Sequence, residues 1–369
     1  MPRTLIVTND FPPRVGGIES FVAEVVELLD RDVVVYTSAS AGAAHFDRSL
    51  DYEVVRGPRV LLPTAAATRT ARRVLARSGA TRVLFGAAAP LGLMAAALRS
   101  AGAERIVALS HGHETWWATL PGSRRALARL AEDVDHLSTI SDFTTARIGP
   151  VLSPSARARM IRLAPPVDPA VFRPSPAQRS ARPRVVAVGR LVRQKGHDTL
   201  LRAWRLLLDE WPRTAAAPEL VVLGEGPQRA RLEGLRDRLR LSGVLLPGAV
   251  GRAEVVSQLQ QAHVFALPMR TRFAGLNPEG LGLAAIEAAA CGLPVVVGRS
   301  GGAPETVRDG VTGMVVEPGD VRQLADVLGR LLGDPALARS MGEAGRRFVS
   351  ATFGVESART VLWDALDLT

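Results

Sequence analysis

Short apolar runs alternate with amphipathic stretches along most of the chain. In the first half, five apolar runs have the length of buried parallel strands, and segments such as Ile18–Leu29 and Leu91–Arg99 separate them with apolar spacing near 3.6 residues. The predicted strands of this half are Leu5–Thr8, Val33–Tyr36, Val83–Phe85, Ile106–Leu109 and Leu137–Ile140. This alternation predicts a doubly wound α/β domain with a parallel sheet.

The pattern breaks over residues 163–183, where prolines and arginines indicate a linker, and then it restarts. The second series of predicted strands is Val185–Val188, Leu220–Leu223, Val244–Leu246, Val264–Leu267, Val295–Val297 and Met314–Val316. Predicted helices of this half are Leu200–Glu210, Ala230–Leu239, Leu281–Ala290 and Val321–Leu332. We therefore expect Rossmann-like domains over residues 1–168 and 169–350, with a helix in 351–369 that packs back toward the first domain. Two such sheets facing each other would hold a ligand in a cleft at the carboxyl ends of their strands.

Composition agrees with two folded domains. The 369 residues are 47% hydrophobic and 22% charged, and no apolar run approaches the roughly 20 residues of a membrane-spanning helix. Residues 1–8 lead directly into a predicted strand and lack the features of a signal peptide. Cys291 is the single cysteine, so an internal disulfide is excluded. We expect a cytoplasmic protein.

The chain carries a net charge of +10, which predicts attraction to polyanions. An aromatic content of 5% argues against base-stacking surfaces and hence against nucleic acid as a partner. On a helix over residues 64–77, one face carries Arg69, Arg72, Arg73 and Arg77, and the other carries Ala67, Ala71, Val74 and Leu75. This pattern is compatible with an interfacial helix drawn to anionic lipid and with an ordinary surface helix.

Two acids eight positions apart stand at the mouth and in the body of the predicted helix Leu281–Ala290. They are Glu279 and Glu287, and eight helical residues rise roughly 12 Å, about the reach needed to contact both ends of a nucleotide-sugar. Gly280 and Gly282 open this helix, so that an anion can approach its exposed amide donors. The segment is suited to a phosphate that carries a hydroxyl-rich sugar.

Three further positions lie where predicted strands end. Arg190 and Lys195 flank the loop after Val185–Val188, where fixed cations can stabilise a departing diphosphate. Gly16 and Gly17 follow the first strand, where backbone N–H groups can approach a phosphate closely. His111 follows Ile106–Leu109, a position typical of a structural hydrogen bond or of a group that orients a ligand.

These motifs resemble those of retaining glycosyltransferases of family 4, which have the two-domain GT-B fold. The resemblance rests on the segment from Glu279 to Glu287, on residues 8–19, on residues 189–196 and on residues 224–227, and it covers nearly the full chain. More narrowly, residues 111–114, 121–122, 270–272 and 300–307 are similar to motifs of actinobacterial mannosyltransferases that act on phosphatidylinositol mannosides.

The resemblance implies roles for individual residues. Arg190 and Lys195 would contact the donor diphosphate, and the loop with Gly16 and Gly17 would contact it from the first domain and border the acceptor site. Glu279, with the backbone of Gly280, Leu281 and Gly282, would hold the donor sugar and phosphate, and Glu287 would accept hydrogen bonds from the ribose hydroxyls. His111 would orient sugar and acceptor, with His113 and Glu114 as supports. Retention by a covalent intermediate and by front-face attack both stay open.

Metal dependence is not expected. Two Asp-x-Asp triplets, at residues 30–32 and 133–135, precede predicted strands and so lie away from the ligand edge of the sheet, and no His/Cys cluster has ligand spacing. One stretch departs from the family pattern: relatives commonly carry a Pro, a small residue and a Gly before Val-Asp, whereas this chain has Ala164-Pro165-Pro166 before Val167-Asp168. A proline cannot donate an N–H to a diphosphate.

The resemblance implies transfer of mannose with retention from GDP-mannose to a phosphatidylinositol mannoside, forming an α-1,6 link. No cofactor is expected beyond the donor substrate. The expected partners are the nucleotide-sugar, a phosphoinositide glycolipid and, peripherally, the anionic inner face of the cell membrane. Two alternatives remain: a family 4 enzyme with another nucleotide-sugar or a soluble acceptor, and a nucleotide-sugar epimerase or hydrolase on the same fold.

Overall fold

A computed structural model describes residues 3–14, 16–272 and 275–368 of the chain. Val15 of the predicted phosphate loop and the expected domain ends at residues 1 and 369 lie outside the described residues. The chain forms two compact units, one made of Met1–Pro166 with Val355–Thr369 and the other of Val167–Gly354.

The elements follow the α/β alternation that the apolar pattern predicts. In chain order the strands are β1 Thr4–Thr8, β2 Val33–Thr37, β3 Glu53–Arg56, β4 Arg82–Phe85, β5 Arg105–Leu109, β6 His136–Thr139, β7 Met160–Arg162, β8 Arg184–Val188, β9 Glu219–Leu223, β10 Val244–Gly248, β11 Val264–Leu267, β12 Val295–Gly298 and β13 Gly313–Val316. The α-helices are α1 Gly17–Leu28, α2 Ala43–Asp47, α3 Ala65–Ser78, α4 Ala95–Arg99, α5 Glu114–Trp117, α6 Pro121–Asp133, α7 Asp142–Ile148, α8 Pro154–Ala158, α9 His197–Glu210, α10 Arg229–Arg238, α11 Arg252–Gln261, α12 Leu283–Ala290, α13 Val321–Gly333, α14 Pro335–Thr352 and α15 Val355–Leu366. Short 3₁₀ helices cover Leu91–Met94, Gly149–Val151, Pro176–Gln178, Arg193–Lys195 and Ala303–Thr306.

The first unit is built on a seven-stranded parallel sheet with the order β3-β2-β1-β4-β5-β6-β7. The central strands β1 and β4 are buried along their whole length, as expected for strands covered by helices on both faces. The last helix of the chain, α15, belongs to this unit. The Trp363 indole N–H donates to the Leu28 carbonyl of α1 at 2.8 Å, and Arg105 of β5 donates to the Ala365 carbonyl at 2.9 Å.

The second unit is built on a six-stranded parallel sheet with the order β10-β9-β8-β11-β12-β13. In both sheets the strand order reverses beside the first strand, between β1 and β4 and between β8 and β11. Ligands of open α/β sheets bind outside the carboxyl ends of the strands at such a reversal. The topology therefore singles out the loops after β1 and β4 in one unit and after β8 and β11 in the other.

The main differences from the predicted elements concern two strands and two helices. Strands β3 and β7 were not predicted, and both are edge strands that are not fully buried. The predicted helix Leu91–Arg99 is a 3₁₀ turn followed by α4. The predicted helix from Leu281 begins only at Leu283, with Gly282 at a φ of 104° before it.

The described residues include no helix that is long and apolar enough to span a bilayer.

Candidate active site

In the second unit, the loop after β8 packs closely on the loop after β11. Arg193–Lys195 forms a 3₁₀ turn, and Gly196 follows it at a φ of 73° before α9 begins. A β-carbon at Gly196 would lie 2.0 Å from the carbonyl oxygen of Pro268, the residue after β11. Glycine is therefore required here both for the backbone angle and for the close approach. The contact brings Lys195 to the strand reversal.

Lys195 forms an ion pair with Glu279 at this edge. The ammonium Nζ lies 2.8 Å from the carboxylate Oε2, and the two side chains are 20% and 11% exposed. The neighbouring Gln194 fixes the same two segments, because its side-chain amide donates to the Pro278 carbonyl at 2.7 Å and its backbone carbonyl accepts from Arg270 at 2.8 Å. Two predicted site residues, 84 positions apart, are thus in direct contact.

A turn after β12 holds the backbone of Glu279 from the other side. The Glu279 N–H donates to the Ser300 hydroxyl at 3.3 Å, and the Gly302 N–H donates to the Glu279 carbonyl at 3.0 Å. Gly301 has a φ of 56°, and a β-carbon there would lie 1.9 Å from that carbonyl oxygen. The Ser-Gly-Gly sequence of residues 300–302 therefore positions Glu279.

These contacts show that Glu279 and Glu287 are not two acids of one helix. Glu279 lies in irregular backbone ahead of α12, so the helical rise of roughly 12 Å does not separate it from Glu287. Glu287 itself lies within α12 and is partly exposed. Leu281 and Gly282 are buried just before the helix, and no side chain caps its first turn among the described residues.

The basic residues of this edge differ in how far they are neutralised. Arg270 donates to the Asp198 carboxylate at 2.7 Å and to the Thr199 hydroxyl at 3.3 Å, both on α9. Arg190 is exposed in the loop after β8, and its guanidinium makes no hydrogen bond or ion pair within the described part of the chain. Because its donors are unused, Arg190 is better placed than Arg270 to bind an anion.

In the first unit, His111 lies where β1, β4 and β5 end. Its ring Nε2–H donates to the carbonyl of Gly86, the residue after β4, which leaves Nδ1 as an acceptor. The edge of the ring meets Phe21 of α1, with centroids 5.7 Å apart and planes at 88°. Burial lowers the pKa of His111, partly opposed by the Glu114 carboxylate. The imidazole is therefore neutral near pH 7 and is fixed in one tautomer.

Glu114 organises the turn that carries this histidine. Its fully buried carboxylate accepts hydrogen bonds from the Ser110 hydroxyl and the His111 backbone N–H through Oε2, each at 3.0 Å. The other oxygen, Oε1, lies 3.3 Å from Nε2 of His113, whose ring is stacked on that of His111. The structure makes Glu114 a positioning residue for the His111 backbone.

Gly16 and Gly17 lie at the start of α1, after β1. Gly16 precedes the first helical residue, Gly17, and no side chain caps the helix among the described residues. A β-carbon at Gly16 would lie 2.2 Å from Oε2 of Glu19. The first turn of α1 thus has a carboxylate against it, in the position where the sequence predicts a phosphate.

The four arginines of the predicted interfacial helix belong to α3 in the first unit. They are exposed on α3, whose opposite face is buried through Ala67, Ala71, Val74 and Leu75 as the spacing predicts. Arg69, Arg72 and Arg73 line an open groove of about 430 Å³, and Arg77 pairs with Glu53 of β3. Just before the helix, Val60 and Leu62 are 62% and 51% exposed.

The Asp-x-Asp acids make structural contacts at the amino edge of the first sheet. Asp135 accepts from the Ile106 N–H and from Arg99, each at 2.7 Å, and Asp32 pairs with Arg3 at 3.2 Å. Across the described ranges, no three His, Cys, Asp or Glu side chains are grouped so as to hold a metal ion.

Two family models match adjacent parts of the chain. The model described as Glycosyltransferase Family 4 matches residues 15–170, and the model described as Glycosyl transferases group 1 matches residues 170–348.

Curated relatives match over nearly the whole length. A protein of Mycolicibacterium smegmatis named GDP-mannose-dependent alpha-(1-6)-phosphatidylinositol monomannoside mannosyltransferase is 42% identical, over 93% of each chain. A Mycobacterium tuberculosis protein of the same name is 41% identical, over 99% of this chain and 98% of the relative. A Corynebacterium glutamicum protein, named as acting on a monoacylated form of that acceptor, is 38% identical, over 96% and 95%.

Solved structures share the fold. The Anabaena protein HepE in complex with UDP superposes with a TM-score of 0.83 at 16% identity, with complete coverage of both chains. Sucrose-phosphate synthase from Thermosynechococcus elongatus superposes with a TM-score of 0.79 at 22% identity, over 99% and 98% of the chains. The fold class is therefore GT-B, with two parallel-sheet α/β domains, as predicted. The chain belongs to the glycosyltransferases of family 4.

His197, next to the Lys195 turn, should make the stability of the fold depend on pH. The side chain is 2% exposed, and neither ring nitrogen has a hydrogen-bond partner of normal geometry among the described residues. Burial lowers the pKa of His197 to about 4. The unfolded chain, with a histidine pKa near 6.5, binds more protons between these values, so stability falls as the pH drops through this window.

We expect His197→Leu to remove this part of the pH dependence. The free energy of unfolding of the variant, relative to the wild type, should rise by about 3 kcal/mol between pH 7 and pH 4, measured by urea denaturation. The matched control is His45→Leu, which changes an exposed histidine of α2. Parallel curves for the wild type and His197→Leu would show that His197 is not held neutral by burial.

Proposed function

We propose that this protein transfers mannose, with retention, from GDP-mannose to phosphatidylinositol monomannoside and forms an α-1,6 link. The observation that carries the proposal is the full-length identity of 41–42% to two mycobacterial proteins that bear this name. In the reaction, the bond from the sugar C1 to the diphosphate breaks and a bond from C1 to an acceptor hydroxyl oxygen forms. The fixed groups at the edges of the two sheets suit these two events.

The donor is assigned to the second domain, predicted at residues 169–350. Negative charge develops on the diphosphate as it leaves, and Arg190 and Lys195 would stabilise it. Glu279 would hold sugar hydroxyls, and Glu287 would accept hydrogen bonds from the ribose. The contact between Lys195 and Glu279 supports this assignment, since the cation that would bind phosphate lies 2.8 Å from the carboxylate that would hold the sugar. Arg190 and Lys195 would supply the positive charge, so the proposal requires no metal or other cofactor.

The acceptor is assigned to the first domain, predicted at residues 1–168, with α15 packed on it. His111 would orient sugar and acceptor, because its Nδ1 can accept a hydroxyl hydrogen while Nε2 stays on Gly86. Gly16 and Gly17 would approach the diphosphate through backbone N–H groups if the Glu19 carboxylate moves aside. The α3 arginines would hold the enzyme peripherally at the anionic inner face of the cell membrane, supported by their exposure beside Val60 and Leu62.

The test is turnover of GDP-mannose against GDP-glucose, UDP-glucose and UDP-N-acetylglucosamine, with and without phosphatidylinositol monomannoside. We expect GDP release that depends on the lipid, with a glycolipid product heavier by one hexose in mass spectrometry. Turnover with a different donor or a soluble acceptor would assign the protein to another family 4 transferase. Release of free sugar without an acceptor would assign it to an epimerase or hydrolase.

Variants of Lys195 and Glu279 should affect donor binding and sugar transfer differently. Lys195→Ala should weaken donor binding about 10-fold to 100-fold, since a charged hydrogen bond contributes about 1.5–3 kcal/mol. Glu279→Gln should bind the donor nearly as well as the wild type but lose turnover by at least about 100-fold. Calorimetric titration and initial rates measure the two effects.

The double variant Lys195→Ala/Glu279→Gln is the control for the charge that Lys195→Ala leaves unpaired. If it regains wild-type donor affinity, the weak binding of the single variant came from the exposed Glu279 charge rather than from a lost phosphate contact. If Glu279→Gln turned over at the wild-type rate, Glu279 would not be part of the active site.

If the α3 arginines bind anionic lipid, their replacement should weaken the association of the protein with membranes. Replacing Arg69, Arg72 and Arg73 by Ser should weaken binding to anionic phospholipid vesicles about 100-fold in co-sedimentation, because each basic residue contributes about 1 kcal/mol. The matched control replaces Arg231, Arg236 and Arg238 of α10 by Ser, which removes the same charge from another helix. Equal losses in the two variants would mean that net charge, not α3, causes binding.

A further inference from the structure

A pocket lies in the second unit at some distance from Lys195 and Glu279. It has a volume of about 630 Å³, within the range of small-molecule sites. Two of its lining residues, His263 and Pro294, directly precede β11 and β12, whereas Arg270 and Ser300 follow the same strands. A strand of four residues spans roughly 13 Å. The pocket is therefore at the opposite edge of the sheet from Glu279.

Part of the pocket lining is apolar. Leu331 and Leu332 of α13 and Ala338 of α14 are buried and line it, together with Pro294. An apolar lining of this kind can contact the carbon part of a ligand, and the free energy falls when water leaves it.

Three arginines line the same space. Arg179 donates to the carbonyl of Ala262, after α11, and Arg346 donates to the carbonyl of Ala290, the last residue of α12, at 2.9 Å. One such bond positions a guanidinium and leaves most of its five N–H donors unused. Arg339 of α14 is exposed and makes no side-chain hydrogen bond or ion pair within the described ranges. The pocket thus presents anchored guanidinium groups with free donors.

The side chains that line the pocket carry a net positive charge. Glu343 is the one acid among the lining residues, and it forms no ion pair with a described residue. His263 is neutral, since its Nδ1 accepts from the Arg184 N–H at 3.1 Å. The carboxyl ends of α11 and α12 each contribute roughly −0.5 charge, which leaves about +1 from three arginines and one glutamate.

Arg179 and Arg339 are also close enough to repel each other. The pKa of Arg179 is lowered mainly by burial, and the positive charge of Arg339 lowers it further. Unpaired like charges around a concave apolar surface are costly to hold together, and an anion between them relieves the repulsion. The planar guanidinium group of an arginine can donate two parallel hydrogen bonds to the oxygens of a phosphate.

We propose that this pocket binds a small organic phosphate, with the phosphate held by Arg179, Arg339 and Arg346. The carbon part of the ligand lies against Leu331 and Leu332. The site is at the opposite edge of the sheet from Lys195 and Glu279 and does not depend on which nucleotide-sugar the enzyme uses.

The experiment is calorimetric titration of phenyl phosphate and inorganic phosphate into the whole protein. Phenyl phosphate should bind the wild type, and Arg339→Glu should weaken binding at least about 10-fold, because it reverses a charge that has no structural partner. Arg347→Glu is the matched control, since Arg347 is exposed on the same helix but does not line the pocket. Lys195→Ala reports binding at the donor loop. Both controls should stay within about threefold of the wild type, and inorganic phosphate should bind more weakly than its phenyl ester.

Four outcomes would overturn the proposal. They are no binding by the wild type at millimolar ligand, equal losses in Arg339→Glu and Arg347→Glu, a loss only in Lys195→Ala, and equal affinity for the two phosphates. Co-sedimentation with phosphatidylcholine vesicles that contain phosphatidic acid tests whether the pocket binds a lipid headgroup instead. If Arg339→Glu weakened vesicle binding but not phenyl phosphate binding, the pocket would take a lipid headgroup and the small-molecule proposal would be wrong.

Discussion

The ion pair between Lys195 and Glu279 is the interaction on which the proposed donor site depends. It joins the loop after β8 to the segment between β11 and α12, and both groups are largely out of water. Desolvation offsets much of the attraction in such a pair, whereas loss of one partner leaves a buried charge and costs about 3–5 kcal/mol. The pair is therefore better explained by the two segments it positions than by any stability it adds.

Backbone packing makes this pair possible. Gly196 packs against the Pro268 carbonyl and Gly301 packs against the Glu279 carbonyl. A β-carbon at either glycine would clash with the carbonyl oxygen. The same principle operates in the first unit, where a β-carbon at Gly86 would lie 2.7 Å from the Thr8 side chain. His111 then bonds to the Gly86 carbonyl. In each sheet, close contact between loops at the strand reversal fixes a polar side chain in one orientation.

The sequence predicts the buried parts of this fold well and its long-range contacts poorly. Runs of Val, Ile and Leu locate most of the central strands, because a strand covered on both faces is usually apolar along its length. Edge strand β3, Glu53–Arg56, lacks such a run and was missed. Gly282 delays α12 until Leu283, since a residue with positive φ cannot continue a helix. The contacts of Ser300 with Glu279 and of Lys195 with Glu279 depend on the packed sheet and leave no local pattern.

The same contacts decide which of the many cations can serve an anionic ligand. A net charge of +10 says little by itself, because Arg270 is neutralised by Asp198 and Lys195 by Glu279. Arg190, by contrast, has unused donors beside the Lys195 turn, and a diphosphate that also draws Lys195 away from Glu279 would release that carboxylate for the hydroxyls of the sugar. Exchange of one partner for another keeps every buried charge paired, which avoids the desolvation cost of separating them. Binding of the phosphate and orientation of the sugar would then be one coupled event.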